Sequence, residues 1–261
     1  MSIDWTEAGL VSLIIFVATL IHGIAGFGFA QVGMGFLPLV LPPAAASIVF
    51  TPLAVISNAR VLWSVRGSFT LRDWLVPVIG LAFGMPLGMY FFSQMDKRIL
   101  QIAIALTLLV SVALIAFARI SPKGKQWIKG LNFRPSTGSG ITAGFLAGIL
   151  GGAVAIPGPP MILYGAFLMA TGAWKSEHMK AVFTAFFGTL MLYRFGALLF
   201  TGRVESSLML LAAISLPALF LGAWAGIKIY NKIPQKTFQW LVLAMLTINA
   251  IVLLFKAGSE F

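Results

Sequence analysis

The sequence predicts an all-α polytopic membrane protein of two inverted repeats, each a re-entrant helical hairpin followed by three transmembrane helices. Three observations lead there. The 261 residues are 59% hydrophobic and only 10% charged, with a mean hydropathy of +0.98, which leaves too little polar surface for a soluble domain of that length. Apolar stretches of about 20 residues, enough to cross about 30 Å of hydrocarbon, recur along the whole chain. Two of the stretches, in matching positions, are cut by clusters of glycine and proline.

The first repeat is expected over 1–118. Its opening stretch, 9–41, is cut by Gly23, Gly26 and Gly28 and closed by Pro38, Pro42 and Pro43, and it reads as a hairpin of two short half-helices. Spans are expected at 44–64, 73–93 and 98–118. Residues 119–137 carry five basic side chains and Ser121-Pro122, and read as a cytoplasmic linker. The second repeat, 138–261, has its hairpin at 138–171, where GILGGAVAIPGPP places Gly148, Gly151, Gly152, Pro157, Gly158, Pro159 and Pro160. Spans are expected at 178–200, 206–227 and 235–256. Gly84-x-x-x-Gly88 followed by Gln101 matches Gly222-x-x-x-Gly226 followed by Gln239, at a spacing of 138. Each half then makes an odd number of crossings, so the halves are inverted, which is a transporter architecture with its site at the repeat interface. Prolines remove amide donors and glycines allow close backbone approach. Such irregular backbone survives at membrane depth only when buried in protein or lining a cavity.

Positive charge sets the sidedness. Of the 18 Lys and Arg, Arg60 and Arg194 fall inside expected spans. If both hairpins return to their starting sides, the others divide 12 against 4; if each crosses once, they divide 9 against 7. The positive-inside rule favours the hairpins, with 119–137 cytoplasmic and both termini periplasmic. The net charge of +11 then belongs to basic loops facing anionic lipid, and no nucleic acid is expected. Asp4 and Glu7 precede the first apolar stretch, so no cleaved signal peptide is expected. The chain has no cysteine, hence neither disulfides nor thiolate chemistry.

The polar residues inside the spans suit an anion. A guanidinium offers a planar fork of donors for carboxylate or sulfur-bound oxygens, and Arg60 and Arg194 have no carboxylate within the spans to neutralise them. Arg60, four residues from the end of its expected helix, could instead snorkel to the surface. The half-helices that start near Phe27–Gly28 and near Pro157–Pro160 would point free amides inward, and Gly26, Gly28, Gly151, Gly152, Pro157 and Gly158 are candidate binding residues at these breaks. Gln31, Asn58 and Tyr193 could add neutral donors. His22, beside the first break, is the candidate proton carrier; His178, in WKSEHMK, reads as an interfacial residue without a special role. Two histidines 156 positions apart make no metal centre, and GxxxxGK[ST] is missing, so neither a cofactor nor an ATP-driven pump is expected. An anion channel would share these features. The two GxxxG faces would also suit a homodimer.

The stretches GIAGFGFAQVGMGFLPLVL at 23–41 and GFLAGILGGAVAIPGPPMIL at 144–163 resemble the sulfite exporter TauE/SafE permease family, and the likeness extends over essentially the full length. The resemblance implies a secondary transporter in a bacterial inner membrane, carrying sulfite, a sulfonate such as sulfoacetate, or a small carboxylate. The second stretch departs from the family in having only Gly151-Gly152 where a longer glycine cluster is common.

Overall fold

The computed structural model describes residues 4–25, 27–117, 121–130, 136–229 and 235–258. In the first half, α1 (Trp5–Ala25) and α2 (Phe29–Val40) flank a break. They are followed by α3 (Pro43–Val65), a 3-10 turn at Arg66–Ser68, α4 (Leu71–Gln94) and α5 (Lys97–Ile115). A short α6 (Pro122–Gly130) lies in the linker. The second half holds α7 (Thr137–Val154), α8 (Gly158–Ala170), α9 (Ser176–Phe200), α10 (Ser206–Ile214), α11 (Leu216–Ile229) and α12 (Gln235–Gly258). Among the described residues, α1, α3, α4, α5, α7 and α9 are each long and apolar enough to cross a membrane, and α10 with α11, taken as one bent segment, is long and apolar enough to make a seventh. The protein is all-α and polytopic.

Local chemistry explains the boundaries. Asp96 caps α5 by accepting from Ile99 N at 2.8 Å. Ser136 and Ser139 close a capping box on α7, and Pro43 at the first turn of α3 wastes no helical donor. The span expected at 206–227 is bent by 41° between α10 and α11, because Pro217 cannot donate to the preceding turn and its ring clashes there. The linker contains α6: Ser121 Oγ accepts from Gly124 N at 3.2 Å and Pro122 follows at the first helical position. Trp127 then packs on Phe117 and Phe167.

Glycine acts mostly as a packing surface. A Cβ at Gly80, Gly84 or Gly88 would strike the carbonyls of Ile141, Phe145 and Ile149 in turn, so α4 and α7 run side by side in the same direction at backbone contact. Gly144 and Gly148 of α7 return the contact at Pro77 and Leu81. Gly222 and Gly226 of α11 do the same against Phe16 and Leu20 of α1. The two GxxxG faces are therefore used within the chain and are not left open for a second copy.

This packing also corrects the hairpins. Gly23, Gly148, Gly151 and Gly152 lie inside helices, where the absence of a side chain admits a neighbour. The first arms are consequently long, 21 and 18 residues, and the second arms short, 12 and 13. Among the described residues of the two hairpins, the helices are interrupted at 27–28 and 155–157.

At the centre, α3 and α9 cross antiparallel. Gly188 faces Asn58, Arg194 reaches Ser47 and Thr51 near the start of α3, and His178 reaches Ser68 beyond its end. The contacts of the halves exchange: α4 packs on α7 as α11 packs on α1, α5 touches α8 as α12 touches α2, and α3–α9 and α5–α12 pair across the middle.

Candidate functional site

Both chain breaks converge on one enclosed cavity of about 20 Å3, room for a single water molecule. His22, Phe27, Gly28 and Gln31 line it from the first break and Pro157 and Gly158 from the second; α3 contributes Phe50 and Asn58, and α9 contributes Phe187 and Met191. The expected set His22, Gly28, Gln31, Asn58, Pro157 and Gly158 is thus brought together.

Each break has its own backbone device. Gly28 is the N-cap of α2 at φ +98°, a left-handed conformation that a side chain would strain. No side chain caps α2, and its first helical bond is Val32 N to Gly28 O at 2.9 Å. The amides of Phe29, Ala30 and Gln31 are therefore left without intrahelical partners. α7 ends on Ala155 at φ +59°, an unusual conformation for a residue with a Cβ. α8 then starts at Gly158-Pro159-Pro160, so only Gly158 of its first three residues carries an N–H. Both helix starts were expected to offer free amides to an anion. The prolines make α2 the donor-rich one.

The side chains in the cavity are buried and incompletely satisfied. His22 Nδ1 bonds Ser57 Oγ at 2.8 Å and its ring stacks on Phe29 with centroids 5.8 Å apart. Gln31, 2% exposed, reaches across to the second break, where a Cβ at Gly158 would coincide with its Nε2. That nitrogen has no hydrogen-bond partner among the described residues. Asn58, 4% exposed, donates from Nδ2 to Ala54 O at 2.7 Å, and its Oδ1 is likewise unpartnered. Asn58 also lines an open groove of about 380 Å3 between α3, α4 and α9, together with Phe69, Trp74 and Gly188. It therefore stands between the groove and the closed cavity.

The arginines are placed apart. Arg194 is 0% exposed and lies on the face of α9 that carries Phe187 and Met191, about one turn beyond the cavity. Its Nη1 donates to Thr51 Oγ1 at 2.8 Å and to Ser47 O at 3.5 Å, and its Nε to Gly152 O at 3.3 Å. The Phe92 ring lies 4.9 Å from its Cζ. Nη2 is unpartnered, and no carboxylate pairs with Arg194 among the described residues. Arg60 is half-buried, lines neither the cavity nor the groove and is not brought to Arg194. Tyr193, 42% exposed, faces outward. Gly151 packs on Leu190, and Gly152 packs on α4. Gly26 lies outside the described residues.

Sequence reasoning missed Lys180, which it counted among the surface charges in loops and at span ends. Lys180 is 5% exposed, and its Nζ donates to Gly23 O at 2.7 Å. The signal was there: 180, 184, 187, 191 and 194 follow each other by four and three residues, the spacing of one helical face, and all five are buried. His178 also does more than mark an interface. Its Nδ1 lies 2.7 Å from Ser68 O and its Nε2 2.8 Å from Asp73 Oδ2, tying α9 to the start of α4.

No curated protein sequence and no solved structure matches the chain. A family model does, that of the sulfite exporter TauE/SafE, over residues 11–253. With that match spanning both breaks and nearly the whole helical bundle, the chain belongs to the sulfite exporter TauE/SafE family of membrane transporters.

Proposed function

We propose that this protein is a secondary transporter that moves a small sulfur-oxide anion, sulfite or a sulfonate such as sulfoacetate, by alternating access through the cavity where the two breaks meet. The observation that carries this reading is the pairing of unpartnered, buried side-chain polar atoms with the uncapped start of α2 in that one cavity. Water-free polar atoms are costly unless a guest completes them, and backbone amides at a helix start suit negative charge. At about 20 Å3 the cavity is occluded; an anion needs the tips of α1–α2 and α7–α8 to separate, and the groove beside Asn58 is the approach on one side.

The exchanged contacts of the halves support a mechanism in which two inverted repeats rock about the α3–α9 crossing. Two hairpins entering from opposite faces would put one tip on each side of the anion. The basic linker is cytoplasmic and the termini periplasmic in this reading, in a bacterial inner membrane. Protons, where they matter, pass through His22 or travel with the substrate.

The test is flux in proteoliposomes. Labelled sulfite and sulfoacetate should show saturable uptake and counterflow, and Gln31→Leu should weaken half-saturation about tenfold, the loss of one hydrogen bond to a charged group. Conductive flux without counterflow would make the protein a channel. Preference for simple carboxylates over every sulfur-oxide anion would overturn the substrate assignment.

A further inference from the structure

The cavity is not lined by donors alone. Asn58 Nδ2 donates to the carbonyl of Ala54 at 2.7 Å, and a helical carbonyl can only accept. The amide orientation follows from that bond, and Oδ1 is the free end. It is an acceptor, buried, and without a partner among the described residues. Gln31 Nε2, equally buried and unpartnered, is a donor. The amides of Phe29, Ala30 and Gln31 are donors as well. A guest that satisfies this cavity must accept from α2 and Gln31 and must also donate to Asn58.

A fully deprotonated oxyanion cannot do both. It carries lone pairs only, and against Oδ1 it meets a second lone pair in a cavity with room for a single water molecule. We propose that Asn58 is a specificity-determining residue: its Oδ1 favours anions that bring their own O–H or N–H donor over anions that bring none. Hydrogensulfite is preferred to the sulfite dianion, and a sulfonate bearing a hydroxyl group to a plain alkanesulfonate. The inference rests on the cavity reading given under Proposed function and adds the form of the substrate to it. It has a mechanistic consequence. Each hydrogensulfite carries a proton across without any relay in the protein, in keeping with spans whose Asp and Glu residues lie only at their ends or in loops. The position of Asn58, shared by the open groove and the closed cavity, puts this selection at the point of entry.

Two competing occupants of Oδ1 give distinct results. A sodium ion there would make flux sodium-dependent, and an ordered water would make the acceptor indifferent to the substrate's donor. The experiment uses the full chain in proteoliposomes, with equal pH on both sides and choline replacing sodium. In the wild type, 2-hydroxyethanesulfonate should compete with labelled sulfite at about tenfold lower concentration than the isosteric propane-1-sulfonate, the cost of one buried unpaired polar atom. Sulfite flux should fall as rising pH converts hydrogensulfite to the dianion, while 2-hydroxyethanesulfonate flux, whose substrate does not titrate in that range, serves as the reference. His22 is the titratable side chain that lines the cavity, with Lys180 and Arg194 farther along the same face of α9. Any titration of these groups alters both fluxes, and the ratio isolates the substrate. Asn58→Leu should bring the competition ratio close to one, whereas Gln31→Leu should weaken both sulfonates alike.

Equal competition by the two sulfonates in the wild type, a ratio unchanged in Asn58→Leu, or flux that requires sodium would overturn the proposal. The wild-type comparison needs no variant and holds even if Asn58→Leu fails to fold. Transport of no sulfur-oxide anion at all would instead overturn the function proposed above.

Discussion

Arg194 shows what a single side chain must resolve at this depth. A guanidinium removed from water is costly unless its donors are met, and here three elements surround it and leave only Nη2 unpartnered among the described residues: Ser47 and Thr51 from α3, Gly152 from α7 and the ring of Phe92 from α4. The planar fork is what allows one residue to span these partners. Arg194→Lys keeps the charge but reaches fewer of them, and should lower stability by about 1–3 kcal/mol, read as earlier thermal unfolding in detergent. Arg194→Met should cost at least as much, since Thr51 and Gly152 then lose a buried donor. Wild-type melting in both variants would show that these contacts do not hold the second hairpin. The sequence made Arg194 legible as a buried cation because nothing acidic shares its span. It could not show the same for Arg60, because a half-buried arginine and a buried one look alike until a neighbouring helix covers one of them. The proline arithmetic at Gly158-Pro159-Pro160 was legible and still misread: a helix start has free amides only where its residues have N–H groups.

At the scale of elements, α9 acts as a beam between the two breaks. Lys180 holds the carbonyl of Gly23 and Arg194 that of Gly152, each two residues before the last residue of a hairpin's first arm. Those carbonyls carry the negative end of the helix dipole, where cations are favourable. The same arms are fixed laterally by glycine, α7 on α4 and α1 on α11. Gly84→Leu should therefore destabilise the protein by about 3 kcal/mol, the upper end of overpacking costs, because its Cβ meets the Phe145 carbonyl, which cannot move out of the way. Gly9→Ala and Gly196→Ala are the controls: a Cβ there meets nothing within 4 Å, and melting should stay where it is. If Gly84→Leu melts with the controls, the α4–α7 interface is looser than backbone contact allows. The GxxxG pattern was readable in the sequence as a close-packing face, but its partner was not, since any apolar helix with small residues would serve. The lengths of the arms were misjudged for the same reason: a glycine that packs and a glycine that breaks are the same letter.

For the whole molecule, contacts sort the loops into two faces without any reference to charge. His178 ties the start of α9 to Ser68 and Asp73, so the turn at 66–70 and the start of α9 share a face. Gly165 near the end of α8 lies against Met179 and Phe183, and α6 packs on α8 through Ile128 and Ala166, which adds the linker helix to that face. Opposite it, Phe92 near the end of α4 lies between Arg194 and Arg203, which joins the 93–98 turn to the α9–α10 turn. The first face carries Arg66, Arg72, Lys123, Lys125, Lys129 and Lys175; the second carries Lys97, Arg98 and Arg203. With Lys180 now buried, the full charge division becomes 11 against 4, and the positive-inside rule still points the first face to the cytoplasm. The native chain has no cysteine, so each introduced one reports alone. In whole cells, an impermeant thiol reagent should label Ser93→Cys and Glu205→Cys and spare Gly67→Cys and Gln126→Cys, all four positions being exposed; permeabilisation should expose the second pair. The reverse pattern would turn the molecule over and put its basic linker outside. Labelling that splits either pair would break the face assignment itself, and with it the picture of hairpin tips meeting from opposite sides.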